Sequence, residues 1–389
     1  MVTGICGFAG SVIARGLLEH QSGLEIIGLD NLCRKGSETN VEPLRALGMD
    51  VRIGDIRNES DIAELPAADW VIDCAANPSV LAGVDGKTSA KELLDHNLGG
   101  TIHLLEYCRR HGAGFLLLST SRVYSIKPLA DLHVTVVDEA FVPVFRPQRG
   151  TKNAENSETD ALFAASATPC GEISGISPSG LSESFPTDPP ISLYGSSKRC
   201  SELLALEYGT TFNFPVQINR CGVLAGAGQF GKADQGIFSY WIHSWAAQRP
   251  LKYIGFGGKG HQVRDCLHPR DLVPLITLQI QSAIRDPQSA IVNLSGGTTN
   301  SMSLAQLSRW CAGRFPGSEI TYSSLLSTID NNQSEILAES RPYDIPWMVL
   351  DSTLAKETWN WHPATSIEAV LEEIAQHAEA HPQWLDMVT

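Results

Sequence analysis

No Cys-x-x-Cys pair, no Cys/His cluster at zinc spacing and no internal repeat occurs in this 389-residue sequence. The nine cysteines (Cys6, Cys33, Cys74, Cys108, Cys170, Cys200, Cys221, Cys266 and Cys311) are odd in number and scattered. That pattern argues against a zinc ribbon and a disulfide framework, so no metal site is expected. It predicts reduced thiols serving as small core residues in a cytoplasmic protein. No apolar run is long enough to span a membrane, and no basic start with an apolar stretch marks an export signal. Positive charge is also short. Lys and Arg number 29 against 43 Asp and Glu, a formal net charge of -14. Such a surface repels nucleic acid and anionic lipid, and neither is expected as a partner. A phosphorylated small molecule in a locally positive pocket is not excluded.

What is present is ample apolar material, 43% of the chain, enough for one large or two ordinary domains. Short apolar runs bounded by Gly, Asp or Ser occur at 24–30, 49–55, 69–76 and 114–120, and read as buried strands. Between the last two, residues 89–112 carry a helical pattern with a basic end. Strands alternating with helices predict an α/β fold, a Rossmann-type doubly wound parallel sheet covered on both faces. Residues 125–190 break the rhythm and read as a long, loop-rich insertion, either a surface excursion or a wall or lid of the site. A helix is expected over 192–209 and a further strand over 215–223. The expected organisation is a dinucleotide-binding domain over 1–224 and a mainly substrate-binding region over 225–389, smaller and discontinuous, with segments returning to the sheet.

The chain opens MVTGICGFAG, then continues in a helical pattern. In such a loop the first glycine, Gly4, permits a tight turn, Gly7 lets the backbone approach a pyrophosphate, and Gly10 lets the helix pack on the strand. The helix N-terminus then points its amides at phosphate. Asp30 ends the second strand 20 residues beyond Gly10, where an acid bonds the adenosine ribose; a strand-end cap is the alternative. A carboxylate there repels a 2′-phosphate and favours NAD over NADP, a preference that Arg34 and Lys35 are placed to soften. Asp55, closing the third strand, suits adenine contact or a turn. Only three residues precede Gly4, about half an ordinary buried strand. The natural product is therefore expected to begin several apolar residues earlier, or this chain to be less stable than an extended one.

Tyr194 and Lys198 form a Tyr-x-x-x-Lys pair on one face of the 192–209 helix. A tyrosine titrating near pH 10 becomes a base at neutral pH only when a cation stabilises its phenolate, and Lys198 is placed to do so. The strand 114–120 ends Ser119-Thr120-Ser121, so a hydroxyl there is available to bond the reacting oxygen. Thr120 is the candidate, with Ser119 and Ser121 as alternates.

The glycine loop, Asp30, the hydroxyl before Val123-Tyr124 and the Tyr194/Lys198 pair together resemble the extended short-chain dehydrogenase/reductases, in particular the sugar-nucleotide epimerases and dehydratases. The resemblance extends over nearly the whole chain, through HNLGGT around Asn97, GHQVRDCLHPRDL around Arg264, and RPYD at 341–344. It implies NAD as cofactor, a nucleotide-sugar substrate and a homodimer. Carried onto this sequence, it implies cofactor contacts from Gly4, Gly7, Phe8, Ala9, Gly10, Asp30, Asn31, Arg34, Asp55, Ile56, Ala75, Ala76, Asn97, Tyr194 and Lys198. It implies substrate contacts from Thr120, Asn219, Gln229, Asp234, Gln235, Arg264 and Arg341, the two arginines on the diphosphate. DNLCRKGSETN (30–40), GDIRN (54–58), GQFGKADQG (228–236) and GKGHQVRDCLH (258–268) are more specifically similar to the CDP-paratose (CDP-tyvelose) 2-epimerases.

Ser121-Arg122 follows Thr120 where the 4,6-dehydratases of this superfamily carry an Asp-Glu pair, so dehydration is disfavoured. The expected reaction is epimerisation: transient oxidation of the sugar to a ketone with Tyr194 as base, then hydride return to the opposite face. The resemblance suggests C2 as the carbon. A UDP-sugar 4-epimerase, another sugar-nucleotide oxidoreductase, and a catalytically silent NAD-binding regulatory protein are the alternatives.

Overall fold

The computed structural model describes residues 1–84, 86, 88–145, 173–285, 289–318, 320 and 343–388. Its centre is a parallel sheet of β1 (Val2–Thr3), β2 (Ile27–Asp30), β3 (Asp50–Ile53), β4 (Trp70–Asp73), β5 (Gly114–Thr120), β6 (Val216–Cys221) and β7 (Ala290–Leu294). The strand order is β7-β6-β5-β4-β1-β2-β3. The order reverses between β1 and β4, and at such a switch point a ligand crevice opens beyond the carboxyl ends of the strands. The sequence expectation of a doubly wound parallel sheet holds.

Alternation along β5 shows why its sequence is apolar throughout. Leu116 and Leu118 face a core shared with helix α1 (Phe8–His20) and helix Leu272–Arg285. Phe115 and Leu117 face a second core, with Leu104, Leu105 and Tyr107 of α2 (Gly100–His111) and Ala205 of α3 (Ser192–Phe212). A strand covered on both faces keeps no polar side.

The single helix expected over 89–112 is divided. Ala90–Leu94 leads into a wide turn at Asp95–Gly99, and α2 follows. The carbonyl of Asn97 in that turn accepts from the hydroxyls of Thr101 (2.7 Å) and Ser201 (3.2 Å), which compete with the helical ladder.

Beyond β6 the chain builds a second, smaller sheet from Val223–Leu224, Val263–Leu267, Ser301–Ser303 and Trp347–Met348. Helices Ile237–Ala246, Leu304–Arg314 and Ile367–Ala380 cover it around Trp241, Trp245, Leu307, Val370 and Ile374. The chain returns to the main sheet as β7 between these pieces. No helix among the described residues is long and apolar enough to cross a membrane.

The centre of the 125–190 insertion lies outside the described residues. Its flanks are ordered: a hairpin of Val134–Val137 with Ala140–Pro143, and a short pair of Ile176–Ser177 with Gly180–Leu181. They pack with Val263, Ile345 and Trp347 on the outer side of the small sheet. None of the residues of these two strand pairs lines the main cavity.

β1 is two residues long and pairs with both β2 and β4. The ladder continues through Met1, whose carbonyl accepts from Ile72 N at 2.8 Å and whose amino group donates to Trp70 O at 2.6 Å.

Candidate active site

One cavity of about 620 Å³ opens at the carboxyl ends of the strands, running from the glycine loop past Thr120 and Tyr194 to Arg264 and Leu251. The loop is built as its spacing predicts. Gly4 sits at φ 61°, and a Cβ there would come within 2.9 Å of the Ala75 backbone. A Cβ on Gly10 would lie 2.2 Å from the Gly4 carbonyl, so only glycine lets α1 pack this closely on β1. Gly7 caps α1, which has no side-chain cap and no acid in its first turn. Its amides are left facing the cavity, the arrangement that suits an anion.

Asp30 caps the strand end and stands on the cavity wall. Its oxygens accept from Cys6 N and Leu32 N, each at 2.9 Å, so it holds the loop; it also lines the cavity. Burial pushes its pKa up and the amides of Leu32, Cys6 and Gly7 pull it back. A carboxylate oxygen accepts more than one hydrogen bond, which leaves capacity for a ribose hydroxyl. Arg34 lines the cavity, and its guanidinium donates to the Phe230 carbonyl in the loop 228–236. Lys35 reaches the Asp386 carbonyl at 3.2 Å.

Thr120 ends β5 at the middle of the cavity, and its Oγ1 accepts from Arg122 N at 3.2 Å. The alternates Ser119 and Ser121 line the cavity too, but the Ser119 Oγ is engaged, donating to buried Glu202 at 2.6 Å. Tyr194 stands in the first turn of α3. Burial raises its pKa to about 12, while the Thr120 hydroxyl and the Arg122 guanidinium draw it down. Lys198, one turn on, is 2% exposed and lines the cavity. It has no carboxylate partner among the described residues.

Gln229, Asp234, Gln235 and Arg264 also line the cavity. Asp234 accepts from Ser79 Oγ at 2.7 Å, which ties the loop after β4 to the loop 228–236. Arg264 pairs with Asp344 at 3.2 Å. Arg341 lies outside the described residues.

Three expected contacts are not on the cavity wall. Asn219 and the helical Gln279 exchange a reciprocal pair of buried amide bonds, 2.9 and 2.8 Å, so Asn219 fastens β6 to the helix behind it. Asn97 bonds Asn77 through both N and O and reaches Ser197 Oγ at 3.1 Å, holding the loop after β4 against α3. Burial alone would raise the Asp55 pKa, but Arg57 at 2.6 Å and Asn31 at 2.9 Å outweigh it and hold the carboxylate well below its usual range. Its neighbour Ile56 lines the cavity together with Asn31, Phe8, Ala9, Ala75 and Ala76.

Sequence reading missed Ser37, Arg122, Gln262 and Asp344 on the wall. Arg122 and Asp344 stand in stretches already singled out; Ser37 and Gln262 carry no local signal for the cavity. The oxygens Ser37 Oγ, Gln229 Oε1 and Gln262 Oε1 are buried without a hydrogen-bond partner. Buried polar atoms without partners are costly, so orphans gathered on one cavity wall fit a polar ligand. Together with the open amides of α1, Asp30 and unpartnered Lys198, they fit a dinucleotide with a second polar ligand beside it.

The family described as the NAD dependent epimerase/dehydratase family matches residues 1–143 and 151–295. CDP-paratose 2-epimerase of Salmonella typhi is 28% identical over 320 residues, 79% of this chain and 81% of that protein. UDP-glucuronate 4-epimerase of Thermodesulfobacterium geofontis is 22% identical over 384 residues, 96% of this chain and 93% of that protein. Among solved structures, UDP-glucuronic acid 4-epimerase from Bacillus cereus, in complex with UDP-glucuronic acid and NAD, superposes with a TM-score of 0.65. That alignment covers 97% of this chain and 98% of that one at 20% identity, a likeness of fold. The chain belongs to the NAD dependent epimerase/dehydratase family.

Proposed function

We propose that this protein is an NAD-dependent epimerase of a CDP-linked sugar, inverting C2 in the manner of a CDP-paratose 2-epimerase. The observation that carries it is the convergence of Thr120, Tyr194 and unpartnered Lys198 midway along one cavity, with no acid beside Thr120. The described carboxylates on that wall are Asp30, Asp234 and Asp344, and each is at an end or already bonded. None is placed to expel a hydroxyl, so the wall suits oxidation and re-reduction better than dehydration. The similarity to the Salmonella protein supports the CDP-sugar reading over a UDP-sugar 4-epimerase.

NAD, when bound, accepts and returns the hydride. The glycine loop and α1 hold its phosphates, Asp30 its adenosine ribose, and Lys198 its other ribose. Tyr194 as phenolate takes the proton of the sugar hydroxyl and gives it back after inversion. Thr120 bonds the same oxygen and supports the phenolate. Gln229, Gln235 and Arg264 position the nucleotide sugar. Residues 1–224 serve mainly the cofactor and 225–389 mainly the substrate; the protein is expected to act as a cytoplasmic homodimer.

Three outcomes test this reading. Incubated with CDP-paratose, UDP-glucose and UDP-glucuronate in turn, the NAD-loaded protein is expected to invert C2 of the CDP-sugar, as read by NMR; inversion at C4 of a UDP-sugar would replace the proposal with its rival. Tyr194→Phe should lower kcat by about 10²–10⁴-fold. Thr120→Ala removes a bond that favours the phenolate, so the acid limb of the pH–rate profile should move to higher pH, with the loss largest at low pH. An unmoved limb would remove Thr120 from that role.

A further inference from the structure

Arg122 occupies the position where an acid would serve dehydration, and its surroundings give it a task of its own. Its main chain is fixed against α3: the carbonyl lies where a Cβ on Gly195 would stand, 2.2 Å away, one residue from Tyr194. Its amide bonds Thr120 Oγ1. Its guanidinium, on the cavity wall, donates through Nη1 to the Tyr343 carbonyl at 3.3 Å, beside Asp344 and Arg264. Arg122 forms no ion pair among the described residues. Asp344 is bonded to Arg264, so this stretch of the wall carries two guanidiniums and one carboxylate. Burial and the Arg264 charge lower the Arg122 pKa to about 10, which leaves it charged at neutral pH. A surplus cation here, with donors unspent, calls for an anion.

In a nucleotide sugar that anion is the diphosphate. The phosphate oxygen sits on the anomeric carbon. C2 is bonded to that carbon, whereas C4 lies across the ring. A phosphate clamp far from Tyr194 presents C4; a clamp beside Tyr194 presents C2.

We propose that Arg122 is a specificity-determining residue which, with Arg264, clamps the sugar-bearing phosphate beside Tyr194 and so selects C2 as the reacting carbon. This rests on the reading of the cavity as a nucleotide-sugar epimerase site.

The test uses the NAD-loaded protein and its Arg122→Met and Arg122→Lys variants. Calorimetry with CDP and CMP is expected to show Arg122→Met weakening CDP by about tenfold or more, with CMP unchanged and Arg122→Lys within about threefold of wild type. Unchanged CDP affinity in Arg122→Met overturns the proposal. So does unchanged affinity with a shifted acid limb in the pH–rate profile, which would assign Arg122 to the ionisation of Tyr194. On the unaltered protein, CDP-4-deoxyglucose is expected to give a transient NADH absorbance and CDP-2-deoxyglucose none. The reverse overturns the selection of C2 even if Arg122→Met fails to fold. If UDP binds and CDP does not, the base named under the proposed function is wrong; UDP against UMP then decides Arg122 by the same criterion.

Discussion

The catalytic centre depends on a carboxylate that never touches it. Glu202 of α3 is fully buried, and it accepts from Ser119 Oγ at 2.6 Å, from Arg220 at 2.9 and 2.7 Å, and from Arg199 at 3.1 Å. Ser119 precedes Thr120 on β5, Arg220 lies on β6, and α3 carries Tyr194 and Lys198. One side chain thus fixes the strand that ends at Thr120, the neighbouring strand and the helix that carries Tyr194 and Lys198. A buried charge costs several kcal/mol in desolvation and is tolerated only where its bonds are fully met, as here. Such a pair adds little net stability. What it supplies is position, and a base displaced from the sugar hydroxyl by an ångström loses much of its rate.

The same economy governs the loops above the sheet. Asp30 holds the glycine loop through Cys6 and Leu32, Asp234 ties the loop after β4 through Ser79, and Arg34 ties the adenosine side to Phe230. Trp384 Nε1 adds a bond to the Gln229 carbonyl at 3.0 Å from the C-terminal helix Trp384–Val388. The loop 228–236 is therefore braced from the cofactor side and from the C-terminal side together. Contacts to cofactor and to substrate share these supports, which couples the two sites without any moving part being required.

Much of this was legible in the sequence because it is local. Apolar runs bounded by Gly and Asp gave the strands, and the glycine spacing gave the turn and the close helix packing. The i, i+4 spacing placed Tyr194 and Lys198 on one face. What does not show along the chain is long-range. Asn219 and Asn97 stand in motifs that draw the eye, but Gln279 lies 60 residues from Asn219, and Ser197 lies 100 from Asn97. No pattern along the chain shows that a polar side chain is already paired behind the sheet. Asp55 differs in that its partner is close: Arg57 is two residues away and pairs with it at 2.6 Å.

The Ser121-Arg122 pair shows how an absence acquires content. In the sequence it was informative only as a missing acid, which disfavours dehydration. In the structure the residue that replaces the acid has the opposite charge, and it stands where its field favours a phenolate and attracts a phosphate. A carboxylate at that place, so close to Tyr194, would raise the cost of forming the phenolate and repel a diphosphate. A cation lowers both costs. On the proposed reading, substitution of one sign for the other does more than remove a reaction: it would bring the charged end of the substrate to Tyr194, with the carbon next to the phosphate within reach.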